Sequence, residues 1–396
     1  MKRQLVHWVR KLDTQWQRMR NPERRRILVN ASLAMEFAMI APIYRRMKND
    51  PRTQFFFTST VRPNNARSIF AEAGDNLPIV NPPQAAWMKF DAYVAADLIW
   101  AKLLRGAPRV QTFHGVAGKY GNLYDRPESS LREWDRLFFI NQRRLNNFIA
   151  AGAIKSDSPA ARLVGMPKAD CLVDGSLQRD KVLKSLGLDP SRRTVLYAPT
   201  WTPYSSLNAM GEELVAQLVA AGFGVVVKLH DNSRDPDPRN SGGIDWVSRL
   251  TPMLKKNGGH LAERGSISPY LIAADVMISD HSSAAFEFLL LDRPLIRIEM
   301  PELITRTNIH PEYVALLAEA SVNVRSVTET VSAVEYSHAE PNRFSPRRKA
   351  IAQELFYKPG TATGRAAYEL YELMELAPLV GSGQKRKDFS TFAQSD

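Results

Sequence analysis

Residues able to hold a phosphate or move a proton recur in this sequence directly after short apolar, β-branched runs. His114-Gly115 follows Val110–Phe113, and Pro199-Thr200-Trp201 follows Thr194–Ala198. His230 closes Val225–Leu229, and Asp280-His281-Ser282-Ser283 follows Val276–Ser279. In open parallel sheets ligands bind beyond the carboxyl ends of the strands. Four such placements converge on one site only if two sheets face each other across a cleft.

Each group suggests its own chemistry. Ser282 and Ser283 open a helical stretch whose body is 284–291. Unpaired backbone N–H groups and the helix dipole favour an anion there, by about 0.3–1 kcal/mol per charge interaction. Plain capping by serine is the alternative. Lys228 and His230 share one side of a strand by its period of two, so a cation and an imidazole reach out together, as a diphosphate requires. His114 is followed by Gly115, Gly118, Lys119 and Gly121, and glycines after a strand let the backbone approach a ligand closely. An imidazole with an ordinary pKa of about 6.5 can take a proton from an attacking hydroxyl; a turn role is the alternative. No phosphate-binding Gly-x-x-x-x-Gly-Lys loop, nucleophile elbow or metal-binding His pair at helical spacing occurs. The one cysteine, Cys171, excludes a disulfide framework and any multi-cysteine metal site. No metal and no resident cofactor are expected.

The elements that must carry these residues alternate. Strand-like runs at Ile27–Asn30, Gln54–Thr58, Ala92–Val94, Val110–Phe113 and Leu137–Ile140 are separated by helix-like stretches such as Leu33–Met47 and Ala66–Ala73. After Gly165 and Pro167 break the rhythm, a polar helix, Gln178–Leu186, leads to a second series. It comprises strands Thr194–Ala198, Val225–Leu229, Val276–Ser279 and Leu295–Ile298, helices Glu212–Ala221, Pro269–Ala274 and Ser283–Leu291, and a closing helix, Gly364–Leu376. Such alternation predicts parallel sheets covered on both faces. The expected units are a basic amphipathic helix over 1–26, a first Rossmann-like domain over 27–177, a second over 178–380 and a disordered tail over 381–396. The polar segment Asp231–Gly243 reads as a long loop beside the site.

The net charge is +12, from 53 Lys and Arg against 41 Asp and Glu, and favours anionic partners. In the first segment Leu5, Trp8, Val9, Leu12, Trp16 and Met19 recur at helical spacing among basic residues. That pattern suits a helix lying at lipid headgroups, or one packed on its own domain. No secretory signal follows the basic start, and Asn30, Ser32 and Glu36 interrupt the most apolar stretch. A cytoplasmic protein, peripheral at the inner face of the plasma membrane, is expected. Nucleic acid is not an expected partner, since no recognised binding fold accompanies the basic clusters.

Taken together, the motifs resemble those of the CDP-glycerol glycerophosphotransferases, which prime or polymerise teichoic acids. The matching residues are His114-Gly115 with Lys119, Gly165–Asp170, Leu196–Trp201, Lys228-Leu229-His230, Ile278–Ser283 and Leu289–Pro294. The chain has His281 where the family usually has Tyr, and Asp231 where it usually has Pro. The resemblance implies an α/β fold of the GT-B type, two facing Rossmann-like domains with parallel sheets and an interdomain cleft. It implies transfer of glycerol phosphate, or a similar polyol phosphate, from a CDP-activated donor to a hydroxyl of a lipid-linked or polymer acceptor in cell-surface polymer synthesis. His114 would be the base and His230 would contact the donor phosphates. Gly115, Lys119, Thr200, Trp201, Lys228, Asp280, His281, Ser282 and Ser283 would bind substrate. A GT-B glycosyltransferase or epimerase-like enzyme using a nucleotide sugar is the alternative.

Overall fold

The structure is a computed structural model in which residues 2–116, 131 and 133–378 are described, with side chains from residue 8 onward. Gly118, Lys119, Gly121 and the tail over 381–396 lie outside the described residues. Two six-stranded sheets, parallel throughout, form the frame. The first contains β1 (Arg25–Asn30), β2 (Thr53–Thr58), β3 (Ala92–Ala95), β4 (Arg109–Gln111), β5 (Arg136–Phe139) and β6 (Ala161–Leu163), in the order β2-β1-β3-β4-β5-β6. The second contains β7 (Thr194–Tyr197), β8 (Gly224–Val227), β9 (His260–Leu261), β10 (Val276–Ser279), β11 (Leu295–Ile298) and β12 (Val322–Val324), in the order β12-β11-β10-β7-β8-β9. The central strands β3, β7, β8, β10 and β11 are buried along their whole length. Their continuous apolar runs therefore suit sheets covered by helices on both faces.

Helix Ala34–Met47 leaves the carboxyl end of β1 and buries nine residues, among them Phe37, Ile40 and Ile43. It packs against a 3-10 turn, Pro167–Leu172, and against the closing helix, Ala362–Leu373. That last helix thus returns to the first sheet after the chain has built the second. Ion pairs from Arg136 and Arg162 to Glu369 and a hydrogen bond from the Tyr371 hydroxyl to Asp50 hold it there. Buried residues of both sheets and of the closing helix form one continuous apolar core.

The segment Gly165–Asp170 is the joint of this crossover. Gly165 has φ +91°, and a Cβ there would lie 2.5 Å from the Tyr357 carbonyl, so only glycine fits without displacement. Asp170 accepts the Ala362 and Thr363 N–H groups (3.1 and 2.7 Å) and caps the closing helix. Asp231–Gly243 is not the plain loop its composition suggests. It contains a 3-10 turn, Asp231–Arg234, and a short helix, Pro238–Ser241, capped by Asp237.

The basic N-terminal segment is a helix, Lys2–Arg20. Its polar side faces the first domain. Asp13 forms a two-point pair with Arg105 (2.5 and 3.0 Å), Arg18 pairs with Glu375, and Arg10 donates to the Leu104 carbonyl. The apolar stripe faces outward, with Trp8 62%, Trp16 52% and Met19 74% exposed. No helix among the described residues is long and apolar enough to cross a membrane.

Candidate active site

The carboxyl ends of the two sheets enclose a cavity of about 400 Å³. From the first domain, Asp97, His114, Gly115 and Arg144 line it; from the second, Thr200, Trp201, Lys228, His230, Ser282 and Ser283. Most of the residues singled out in the sequence therefore meet at one place, as strand-end positions of facing parallel sheets must. Lys119 lies outside the described residues. Asp280 and His281 are not part of the lining.

His114 sits shortly past the carboxyl end of β4, after Phe113, whose φ of +43° is a strained backbone for a phenylalanine. The Gln111 side chain accepts the Phe113 N–H (2.9 Å) and steadies this bend. Nδ1 of His114 lies 2.7 Å from the Ala96 carbonyl. A carbonyl only accepts, so Nδ1 carries the hydrogen and Nε2 keeps its lone pair. Solvent reaches the ring through the cleft, yet protein surrounds it. Burial, with Arg144 and Lys168 nearby, lowers its pKa, while the Ala96 bond and Asp97 oppose that. The ring is neutral at pH 7 and basic at Nε2, as a general base must be. Arg144 donates to the Gly115 carbonyl (2.5 Å) and stacks 4.4 Å from the Phe113 ring.

Across the cleft His230 has the opposite polarity. Its Nδ1 accepts the Asn232 N–H (3.1 Å), so in the neutral ring Nε2 bears the hydrogen and donates. Its ring lies 5.8 Å from that of Trp201. Lys228 Nζ donates to the Glu263 carbonyl (2.5 Å). Burial lowers its pKa to about 8, with Asp231 acting in the opposite sense. Ser282 caps helix Ser283–Phe288 by accepting the Ala284 N–H (3.2 Å). Thr200 is buried, and its hydroxyl meets no protein partner.

Asp280 and His281, expected to bind the donor, lie beneath this surface and are each 1% exposed. The Asp280 carboxylate accepts the Thr200 N–H (2.8 Å), the Ser206 N–H and hydroxyl (3.0 Å each) and the His281 N–H (2.6 Å). It shapes the 199–206 loop rather than touching the cleft, because four donors already fill its oxygens. His281 packs edge-on against Phe286. Two features of the cleft go beyond the sequence reading: Lys168, within the matched Gly165–Asp170 but given no role there, pairs with Glu287 (2.8 Å) on its floor, and Asp97 lies beside His114. Among the described residues no group of three or more His, Cys, Asp and Glu could hold a metal ion.

Residues 98–372 match the model of the CDP-Glycerol:Poly(glycerophosphate) glycerophosphotransferase family. The chain belongs to this family. It is an enzyme of the CDP-glycerol glycerophosphotransferase type. No curated protein matches it. Among solved structures it is similar to the wall teichoic acid polymerase TagF, in a variant soaked with CDPG, at 12% identity. That likeness covers 90% of both chains with a TM-score of 0.66. It is also similar to a UDP-N-acetylglucosamine 2-epimerase of Listeria monocytogenes, described as putative, at 13% identity, over 90% of this chain and 100% of that one, with a TM-score of 0.55. A third likeness is to S. aureus MnaA with UDP, at 11% identity, over 91% and 100%, with a TM-score of 0.56. At these identities the likenesses speak to the fold alone, two Rossmann-like domains of the GT-B type.

Proposed function

We propose that this family member transfers glycerol phosphate, or a closely similar polyol phosphate, from a CDP-activated donor to a hydroxyl of a lipid-linked or polymer acceptor in cell-surface polymer synthesis. The observation that carries the reading is the opposed polarity of the two histidines. His114 offers a lone pair from one wall, while His230 offers an N–H beside the Lys228 ammonium from the other. A base thus faces a diphosphate cradle across one cavity.

In this reading the donor diphosphate lies against Lys228, His230 and Ser283, with Thr200 supplying its hydroxyl. The acceptor O–H breaks as His114 Nε2 takes the proton. Its oxygen bonds to the phosphorus of the glycerol phosphate, and the P–O bond to CMP breaks, CMP leaving with the electron pair. The cleft supplies positioning and charge, the main sources of catalysis in phosphoryl transfer.

The outward apolar stripe of helix Lys2–Arg20 is assigned to an anionic membrane surface at the cytoplasmic face of the plasma membrane, where lipid-linked acceptors are found. Trp8 and Trp16 would sit at headgroup depth, with Lys11 and Arg20 near the phosphates. Trp87 and Leu104 are also exposed on the first domain, and Arg10 ties the helix beside them through the Leu104 carbonyl.

The test of the donor is a thermal-shift series with CDP-glycerol, CDP-ribitol, UDP-sugars and CMP-sugars. Stabilisation by the CDP-polyols is expected; stabilisation by UDP-sugars alone would reject the reading.

A further inference from the structure

Two carboxyl groups meet on the first domain's wall of the cleft, next to His114. Glu36 lies in the first turn of helix Ala34–Met47, and its Oε2 accepts the Ser32 and Leu33 N–H groups (2.6 and 3.3 Å). Asp97 follows β3. Its Oδ1 accepts the Ile99 N–H (3.1 Å) and its Oδ2 lies 3.4 Å from the hydroxyl of Ser32, whose N–H binds Glu36, so Ser32 touches both carboxyls. Two carboxyls held on one serine repel when both are ionised, so the pair is built to hold or release one proton at the cavity edge. Asp97 lines the cavity and Glu36 lies behind it. The orphaned Thr200 hydroxyl in the same cavity marks it independently as a ligand site.

The surrounding charges make this proton consequential. Glu36 and His114 face Asp97, Arg62 acts on Glu36, and Arg144 and Lys168 act on His114. When His114 accepts the hydroxyl proton, an imidazolium forms against two cations. Asp97 is the anion acting on that ring that can offset them.

We propose that Asp97, backed by Glu36, is the positioning residue that makes His114 an effective base, supplying the charge against which the imidazolium forms. The inference rests on the transferase reading of the cleft. Burial first, and then Glu36, lifts the Asp97 pKa to about 6, and the pair titrates as a unit. Below that pH Asp97 carries a proton and His114 loses that counter-charge. Transfer then falls as Asp97 is protonated.

The experiment measures CMP release by the full chain from CDP-glycerol and a short glycerol-phosphate oligomer, between pH 5 and 8. The wild type is expected to lose kcat below about pH 6. Asp97→Asn should lower kcat by about tenfold, the worth of one pKa unit, leave KM for CDP-glycerol unchanged and remove the inflection. Glu36→Gln keeps an oxygen for the Ser32 and Leu33 N–H groups but removes the neighbouring charge, so its inflection should move to lower pH. Wild-type pH profiles in both variants would overturn the proposal. If Asp97→Asn fails to fold, an unmoved inflection in Glu36→Gln alone overturns it. A wild type that releases no CMP refutes the transferase reading instead. The pair is then read from the His114 ring-proton NMR titration, whose midpoint should fall in Asp97→Asn and would overturn the proposal if unmoved.

Discussion

Lys168 and Glu287 form the ion pair on the cleft floor, 2.8 Å apart, with side chains only 9% and 2% exposed. Lys168 comes from the 3-10 turn at the joint between the sheets and Glu287 from helix Ser283–Phe288 of the second domain. The pair therefore ties the hinge to the cleft. Lys168→Met removes one partner and leaves a carboxylate with no counter-charge in a buried site, where its Oε2 already lacks a protein partner. Such a break costs about 3–5 kcal/mol, and solvent screening does little to reduce it at this depth. For a domain of roughly 200 residues each kcal/mol is worth about 2–4 °C, so the first thermal transition should fall by roughly 6–20 °C. The double variant Lys168→Met/Glu287→Leu removes both charges and should recover most of that loss, since a packed apolar pair of similar volume is often no worse than a buried ion pair. Differential scanning calorimetry of the two single variants and the double variant completes a double-mutant cycle. A single-variant cost below about 1 kcal/mol, or additive effects, would refute the coupling.

Three further outcomes follow from the same structure. Lys228 has a folded pKa of about 8 against an ordinary 10.5, so its ammonium penalises folding fully below pH 8, and the penalty is relieved as pH rises from 8 to 10.5. A bound diphosphate favours the ammonium; CDP-glycerol affinity by calorimetry should fall by up to about tenfold per pH unit above 8, and Lys228→Met should bind weakly without that slope. Gly165→Ala forces φ +91° on a residue with a Cβ and presses it on the Tyr357 carbonyl; a loss of about 1–3 kcal/mol is expected in urea unfolding, and a neutral result would disprove the steric account of this joint. Trp8→Ser/Trp16→Ser should abolish co-sedimentation with phosphatidylglycerol vesicles while CMP release to a soluble acceptor persists; unchanged sedimentation would remove the membrane assignment.

The strands that could be read from sequence are those with an unbroken apolar run, such as Val225-Val226-Val227 at a sheet centre and Phe55-Phe56-Phe57 in the edge strand β2. The edge strands β6, β9 and β12 could not, since each has two or three residues and includes Arg162, His260 or Asn323. His114 and His230 were legible because each polar ring follows an apolar strand, at the carboxyl end where parallel sheets bind ligands. Glu36 reads as one residue of an apolar helix and Asp97 as a turn after alanines. Only the parallel pairing of β1 with β3 brings them together. Asp280 and His281 show the converse: contiguous with Ser282-Ser283 in sequence, they lie under the surface those serines line. Periodicity also defined the N-terminal helix without telling which side meets the protein. Its polar residues make the contact, through pairs with Arg105 and Glu375 far away in sequence.

The central claim is that His114 is the base that activates an acceptor hydroxyl against a CDP-activated donor. The most direct measurement is CMP release from CDP-glycerol by the purified chain with a polyol-phosphate acceptor, for wild type and His114→Ala, with CDP-glycerol affinity measured alongside. The account predicts acceptor-dependent release in the wild type, a loss of about 10²- to 10⁴-fold in the variant, and donor affinity retained. Equal turnover in His114→Ala, or release by neither protein despite tight donor binding, would contradict it.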